Sequence, residues 1–375
     1  MAGAATLASP AGNAAEAPAA RLIPFTRASS EHREPGLDSS VTAAQFGAGP
    51  TTLGPFDVPA FGYARGLYLL VEATAGAAGL NNAVSEADGP WSVIRSISVT
   101  DVNGAPLVGP FTGYDLMLVN KWGGYSFDGD PTRGPGFSDV AVTGNFTILL
   151  YVPFEIIARD AYGALANMNA ASTYKVHITC ADDADVYSTA PDTLPGVRFR
   201  SWLDAWAQPT DADPDGNPQA TRPPFLGTTQ FWSKASLTVA NGANTLRLPR
   251  VGNFIRTLLF VFRDSTAARE GATWPDPLQI HMDGRIIFND NPVVYRGITA
   301  EKYGYNLTAV ATANDDEGVA AFSFSHDFDG KPGAELKDLY LPTVQSTRLE
   351  FVGSIAEVGS LDILTNDISP VGHLL

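Results

Sequence analysis

With 375 residues the chain has room for two or three domains, each able to bury its own core. It carries 40 Asp and Glu against 24 Lys and Arg, a net charge of −16, which argues against wrapping nucleic acid because phosphate binding needs a basic face. Its single Cys excludes an intrachain disulfide framework, and no apolar run reaches the ~18 residues of a membrane span. The 36 Gly and 27 Pro predict many turns, and alternating runs rich in Val, Thr, Tyr and Phe predict a mostly β protein.

Residues 1–36 are rich in Ala, Pro, Ser and Gly without a sustained period, which predicts an arm that is disordered or ordered only against a partner. The N-terminus has neither the basic start nor the apolar core of a signal peptide, so export is not expected, and the sequons at Asn145 and Asn306 read as chance. Ser39-Ser40 is placed to cap a helical turn. Strands are predicted from about Thr51: Arg65 to Thr74, Ile94 to Thr100, Phe146 to Phe154, Ser172 to Cys180 and Val197 to Trp206, with a short helix over Glu155 to Met168. Cys180 falls in an alternating strand and reads as a small core residue. Trp202 and Trp206, four apart, share one side of their strand and read as core before they read as a contact to another subunit.

Five prolines break the pattern over residues 207–226, the best linker in the chain. Beyond it the strand pattern restarts and repeats the first half. Arg65 to Thr74 matches Arg256 to Ser265 at an offset of 191. The pairs Tyr114 and Tyr295, Lys121 and Lys302, and Trp122 and Tyr303 are each 181 apart, and Ser172-Thr173 matches Ser346-Thr347 at 174. A repeat this long is a duplicated domain, not a solenoid unit of ~20–50 residues. Turn signals at Asn103-Gly104 and Asp283-Gly284 sit at matching places, each followed by an apolar run.

The fold class is therefore all-β: two tandem eight-stranded jelly-roll sandwiches with an extended N-terminal arm and few short helices. The divisions are an arm over 1–50, a first roll over 51–206, a linker over 207–226 and a second roll over 227–375.

Asp211, Asp213 and Asp215, followed by Gly216, mimic the first half of a calcium loop. No Glu closes that loop and two prolines stiffen it, so it reads first as a solvated acidic linker and second as a structural calcium site. His32, His177, His281, His326 and His373 are scattered without ligand spacing. No nucleophile elbow, phosphate loop or dinucleotide fingerprint is present, so no catalytic residue and no cofactor is assigned.

The order Trp91-x-x-Ile94-x-x-Ile97-x-Val99, Asn103-Gly104, Gly113-Tyr114-Asp115-Leu116 and Asn120-Lys121-Trp122-Gly123-Gly124-Tyr125, with its echo at Asp283-Gly284 and Lys302-Tyr303-Gly304-Tyr305, resembles the double jelly-roll major capsid proteins of tailless, membrane-containing icosahedral viruses, the lineage that includes adenovirus hexon. The resemblance spans roughly residues 50–370 and is one of pattern, without an invariant motif. It implies a structural protein and not an enzyme: a homotrimeric pseudo-hexagonal capsomer in a virion shell assembled in the host cytoplasm, in a bacteriophage or similar virus. Its partners would be its own copies, minor capsid and vertex proteins, and an internal lipid membrane reached by the N-terminal arm, with no sequence-specific nucleic acid binding. A glycan-active jelly-roll hydrolase and a carbohydrate-binding or adhesive sandwich are the alternatives.

Overall fold

A computed structural model describes residues 22–126, 130–269, 275–303, 316–325, 336 and 339–369. Its sixteen principal strands fall into two sets of eight. The first set is β1 (Glu31–Val41), β2 (Thr51–Asp57), β3 (Tyr63–Thr74), β4 (Ile94–Thr100), β5 (Pro106–Phe111), β6 (Phe146–Pro153), β7 (Lys175–Cys180) and β8 (Gly196–Trp206). The second is β9 (Thr229–Val239), β10 (Gly242–Arg247), β11 (Phe254–Asp264), β12 (Leu278–Met282), β13 (Arg285–Asp290), β14 (Val319–Ser323), β15 (Leu349–Ile355) and β16 (Gly359–Ser369).

Each set folds into two sheets with one and the same order. In the first, β1-β8-β3-β6 faces β2-β7-β4-β5; in the second, β9-β16-β11-β14 faces β10-β15-β12-β13. Every strand of the second roll thus takes the place of the strand eight earlier, which is the jelly-roll arrangement made twice. Side chains alternate between the two sides of each sheet: Leu67, Leu69 and Val71 of β3 fill the first core, and Leu258, Phe260 and Phe262 of β11 fill the second.

Three expectations are corrected. The arm does not extend to residue 50, because β1 begins at Glu31 and pairs along its length with β8. Strand β1 is a half-exposed sheet edge with Pro35-Gly36 at a register shift, so it lacks the apolar alternation that marks inner strands. The one-turn helix near Ser39-Ser40 starts later, at Ala43, where Thr42 and Gln45 close a capping box. The predicted helix over 155–168 is a single 3-10 turn at Ala158–Asp160, ended by Ala161 at φ +52, and followed by Leu165–Ala166, a two-residue strand beside β3.

The two longer helices lie where the sequence offered only unassigned apolar runs. The apolar runs after the two hairpins are helices, α1 (Gly113–Trp122) and α2 (Pro292–Tyr303). Thr112 caps α1: its hydroxyl accepts from Asp115 N at 3.1 Å, and its own N–H donates to the Asp115 carboxylate at 2.9 Å. All ten residues of α1 are buried, so its sequence shows no polar face by which a helical period could be recognised. Trp274, Gly304, Tyr305, Asn306, His326, His373 and the arm residues 1–21 lie outside the described residues.

Candidate assembly surfaces and the seam between the rolls

The two rolls share a sheet. Strand β5, the edge of the first roll, meets β9, the edge of the second, in a parallel contact at Val108 and Trp232. The result is a nine-stranded sheet running through both halves.

Helix α1 closes the seam from the other side. It lies in one apolar cluster with Trp232, Leu259, Val261, Val319, Ala321 and Leu364, which form the outer face of the β9-β16-β11-β14 sheet. Charged side chains tie the edges. The Lys234 ammonium of β9 donates to both Asp115 oxygens at 2.9 and 2.8 Å and lies 3.2 Å from Asp362, while Lys121 lies 2.7 Å from Asp316 and 3.3 Å from Asp130. Burial opposes the charge on both lysines, yet the facing carboxylates more than offset it and hold each ammonium above its ordinary pKa. Trp122 meets Tyr303 edge-on with ring centroids 5.1 Å apart, so two residues matched by the sequence repeat touch across the seam.

A second matched pair explains the offset of 191. Strand β3 carries one extra residue opposite Asp204 and Ala205, and that residue is Arg65. Strand β11 carries one between Ile255 and Thr257, and that residue is Arg256. Both are buried at β-bulges in equivalent strands, and both line one cavity of about 100 Å³ at the junction. Arg65 reaches Glu155 at 2.8 Å, Glu31 at 2.9 Å and Asp204 at 3.4 Å, with its guanidinium over Trp206 at 4.4 Å. Arg256 donates to the Gly123 carbonyl at the end of α1, at 2.7 Å. Burial pushes the Glu155 carboxyl up to about 7, with Arg65 and the Trp206 indole N–H opposing the rise. The Glu155 backbone carbonyl accepts from Gln230 of β9, so this residue also joins the rolls.

A cavity of about 670 Å³ opens beside the same seam. Three of its carboxylates are engaged: Asp88 binds Arg263 at 2.9 Å and Arg269 at 2.7 Å, Asp362 faces Lys234, and Asp185 faces Arg95, while both guanidiniums of Arg263 and Arg269 lie near the Tyr114 ring. This is a structural lattice of ion pairs, tying a first-roll loop to the second roll.

The residues singled out in the sequence mark turns. Asp283 and Gly284 both take positive φ, at 50° and 81°, and join β12 to β13 in two residues. Between β4 and β5, Gly104 takes φ +87, while the Asp101 carboxylate accepts from Asn103 N and Ala105 N and rounds a longer loop. In the linker, the Asp213 carboxylate accepts from Asp215 N, Asn217 N and Asn217 Nδ2, closing a local turn and holding its pKa below the usual range. Asp215 enters that turn through its backbone N–H, and among the described residues no three His, Cys, Asp or Glu side chains converge as a metal site. Burial pushes the Cys180 thiol up to about 12, where it stays protonated as a core side chain.

Trp202 and Trp206 part company. Trp206 lies under Phe25 of the N-terminal segment together with Ala220 and Leu226 of the linker. Trp202 remains half-buried on the outer face of β1-β8-β3-β6, where with Arg33, Tyr68, Leu70, Glu72 and Leu149 it lines an open groove of about 580 Å³. Sequence reasoning did not find this groove, because its residues alternate regularly with core residues on the same strands.

No family model matches the chain. No curated protein matches it in sequence either. Solved structures do match. The STIV MCP is similar at TM-score 0.60 and 12% identity, over 91% of this chain and 97% of that one. A chain in the atomic structure of the Sulfolobus turreted icosahedral virus is similar at TM-score 0.62 and 10% identity, over 91% of each. The major capsid protein P2 of bacteriophage PM2 is similar at TM-score 0.53 and 12% identity, over 92% of this chain and 99% of that one. The chain therefore has the double jelly-roll fold that these viral capsid proteins share.

Proposed function

We propose that this chain is a major capsid protein, a structural subunit and not an enzyme, whose copies assemble as homotrimeric, pseudo-hexagonal capsomers that tile an icosahedral virion shell. The observation that carries the reading is the tandem itself: two eight-stranded rolls with one strand order, locked together by a shared sheet and a buried helix. Three copies would present six similar rolls, and a six-cornered block made from one chain type packs a surface with few gaps. A shell element must also hold its shape under load, and the seam is built for that, with its ion pairs buried and its aromatic rings interlocked.

In this reading the N-terminal arm serves to contact an internal membrane or a neighbouring capsomer. Minor capsid and vertex proteins would meet the assembled shell, and assembly would take place in the host cytoplasm. Light scattering with negative-stain imaging tests the proposal. The expected particle has three times the chain mass of 39.6 kDa and a six-cornered outline. A stable monomer at micromolar concentration, with no larger species on raising concentration or salt, overturns it.

A further inference from the structure

Among the described residues each roll carries one helix of ten residues or more and one outer sheet face, yet the chain uses them unequally. Helix α1 of the first roll covers the β9-β16-β11-β14 face of the second, and every residue of α1 is buried. Helix α2, in the same place between the last hairpin strand and its successor, is half bare. Val293, Val294 and Ile298 are 68%, 50% and 53% exposed, with Gly297 and Glu301 beside them on the same side of the helix. The side it buries is the more polar one, with Tyr295, Thr299 and Tyr303. An aliphatic stripe turned outward is the reverse of an ordinary surface helix.

The unused sheet face shows the complementary pattern. The strand pairings place Tyr68, Leu70 and Leu149 where the second roll has Leu259, Val261 and Val319, since Leu70 pairs with Leu149 as Val261 pairs with Val319. Trp202, opposite Tyr68, corresponds likewise to Leu364, opposite Leu259. The second-roll set is fully buried under α1, whereas the first-roll set floors the open groove, with Leu149 38% exposed.

Resting on the capsid reading above, we infer that α2 of one copy, through Val293, Val294 and Ile298, seats on the Tyr68-Leu70-Leu149-Trp202 face of a second copy, repeating between chains the contact that α1 makes within the chain. The occupant of the groove is thus another molecule of this protein. Charge agrees with this choice: Glu301 lies on the exposed side of α2, and Arg33 stands at the rim of the groove. The contact is head-to-tail, so it continues from copy to copy until the ring closes. Around that ring, first and second rolls alternate, each joined to the next by helix on sheet.

Ile298→Asp and Leu149→Asp test the two surfaces separately, and Leu80→Asp, at a fully exposed loop position, serves as control. Each interface variant should raise the dissociation constant of the oligomer by about 30-fold or more, as loss of a buried anchor does, while the control leaves it unchanged. Far-UV circular dichroism checks that each chain is folded, and Ile298→Ser and Leu149→Thr replace any that is not. If the wild type assembles and either interface variant assembles equally well, this pairing of surfaces is wrong and the capsid reading stands. A wild type that never leaves the monomer removes both.

Discussion

Asp115 and Lys234 make the seam's energetics measurable, because the two ends of their ion pair are not equivalent. Asp115 is fully buried; of its partners, Lys234 is the cation, and the Thr112 N–H is the helix cap. Lys234 keeps about a fifth of its side chain exposed and has Asp362 as a second carboxylate at 3.2 Å, which in turn retains Arg263 at 3.2 Å. Lys234→Met therefore strands a buried carboxylate and should cost about 3–5 kcal/mol. Asp115→Ala removes one cap, worth about 1 kcal/mol, and leaves a lysine that water and Asp362 still solvate, so its total should stay near 1–3 kcal/mol. The combined Asp115→Ala, Lys234→Met chain should recover much of the single Lys234→Met loss, since no charge is then stranded. Urea unfolding of the dilute chain, read by tryptophan fluorescence, gives all three values and the coupling between them. If Asp115→Ala costs as much as Lys234→Met, or if the coupling vanishes, the pair does not hold the seam.

Trp122→Ala should destabilise the chain by about 3–5 kcal/mol, because it empties a fully buried indole site where the two rolls meet; a loss under ~1 kcal/mol in the same urea assay would place the packing energy elsewhere. The Glu155 carboxyl is raised from 4.5 to about 7, so the folded chain keeps its proton after the unfolded chain has released it. Its contribution to stability is whole below pH 4.5 and is lost as pH climbs to about 7, roughly 3 kcal/mol in all, and Glu155→Gln should flatten that part of the pH profile. A slope that persists in Glu155→Gln assigns it to another group. Because Asp213 spends its carboxylate on its own turn, the melting midpoint should be the same in calcium and in chelator, and a calcium-dependent rise would reinstate the Asp211–Asp215 loop as a cation site.

Much of the fold is legible in the sequence, for a definable reason. Inner strands such as β3 and β11 have fixed neighbours on both sides, so their side chains repeat in register, and the offset of 191 places Arg65 and Arg256 at the same bulge. Edge strand β1 has a neighbour on one side only, and its half-exposed residues carry no period to read. Linker residue Asp213 looks like a ligand in one dimension and is a turn closure in three. The groove around Trp202 escapes notice because alternation says which side a residue faces and not whether anything covers that side.

The two helices extend this lesson from the chain to its copies. A helix records in its sequence how many of its faces are covered in the state where the protein functions. Helix α1 is buried all round because two rolls enclose it, with Asp115 and Lys121 paired inside, which is why it shows no helical period. Helix α2 has covered neighbours on one side in the isolated chain, yet it carries aliphatic residues on the other. Duplication gave both rolls the same need, a helix over the outer sheet face, and one chain can satisfy that need once. Within the molecule the Val293-Val294-Ile298 stripe and the Tyr68-Leu70-Leu149-Trp202 face both stay open, although the end of α2 reaches the seam at Tyr303. Only a neighbouring copy brings them together, so the aliphatic stripe on α2 is the part of the fold that the monomer leaves unfinished.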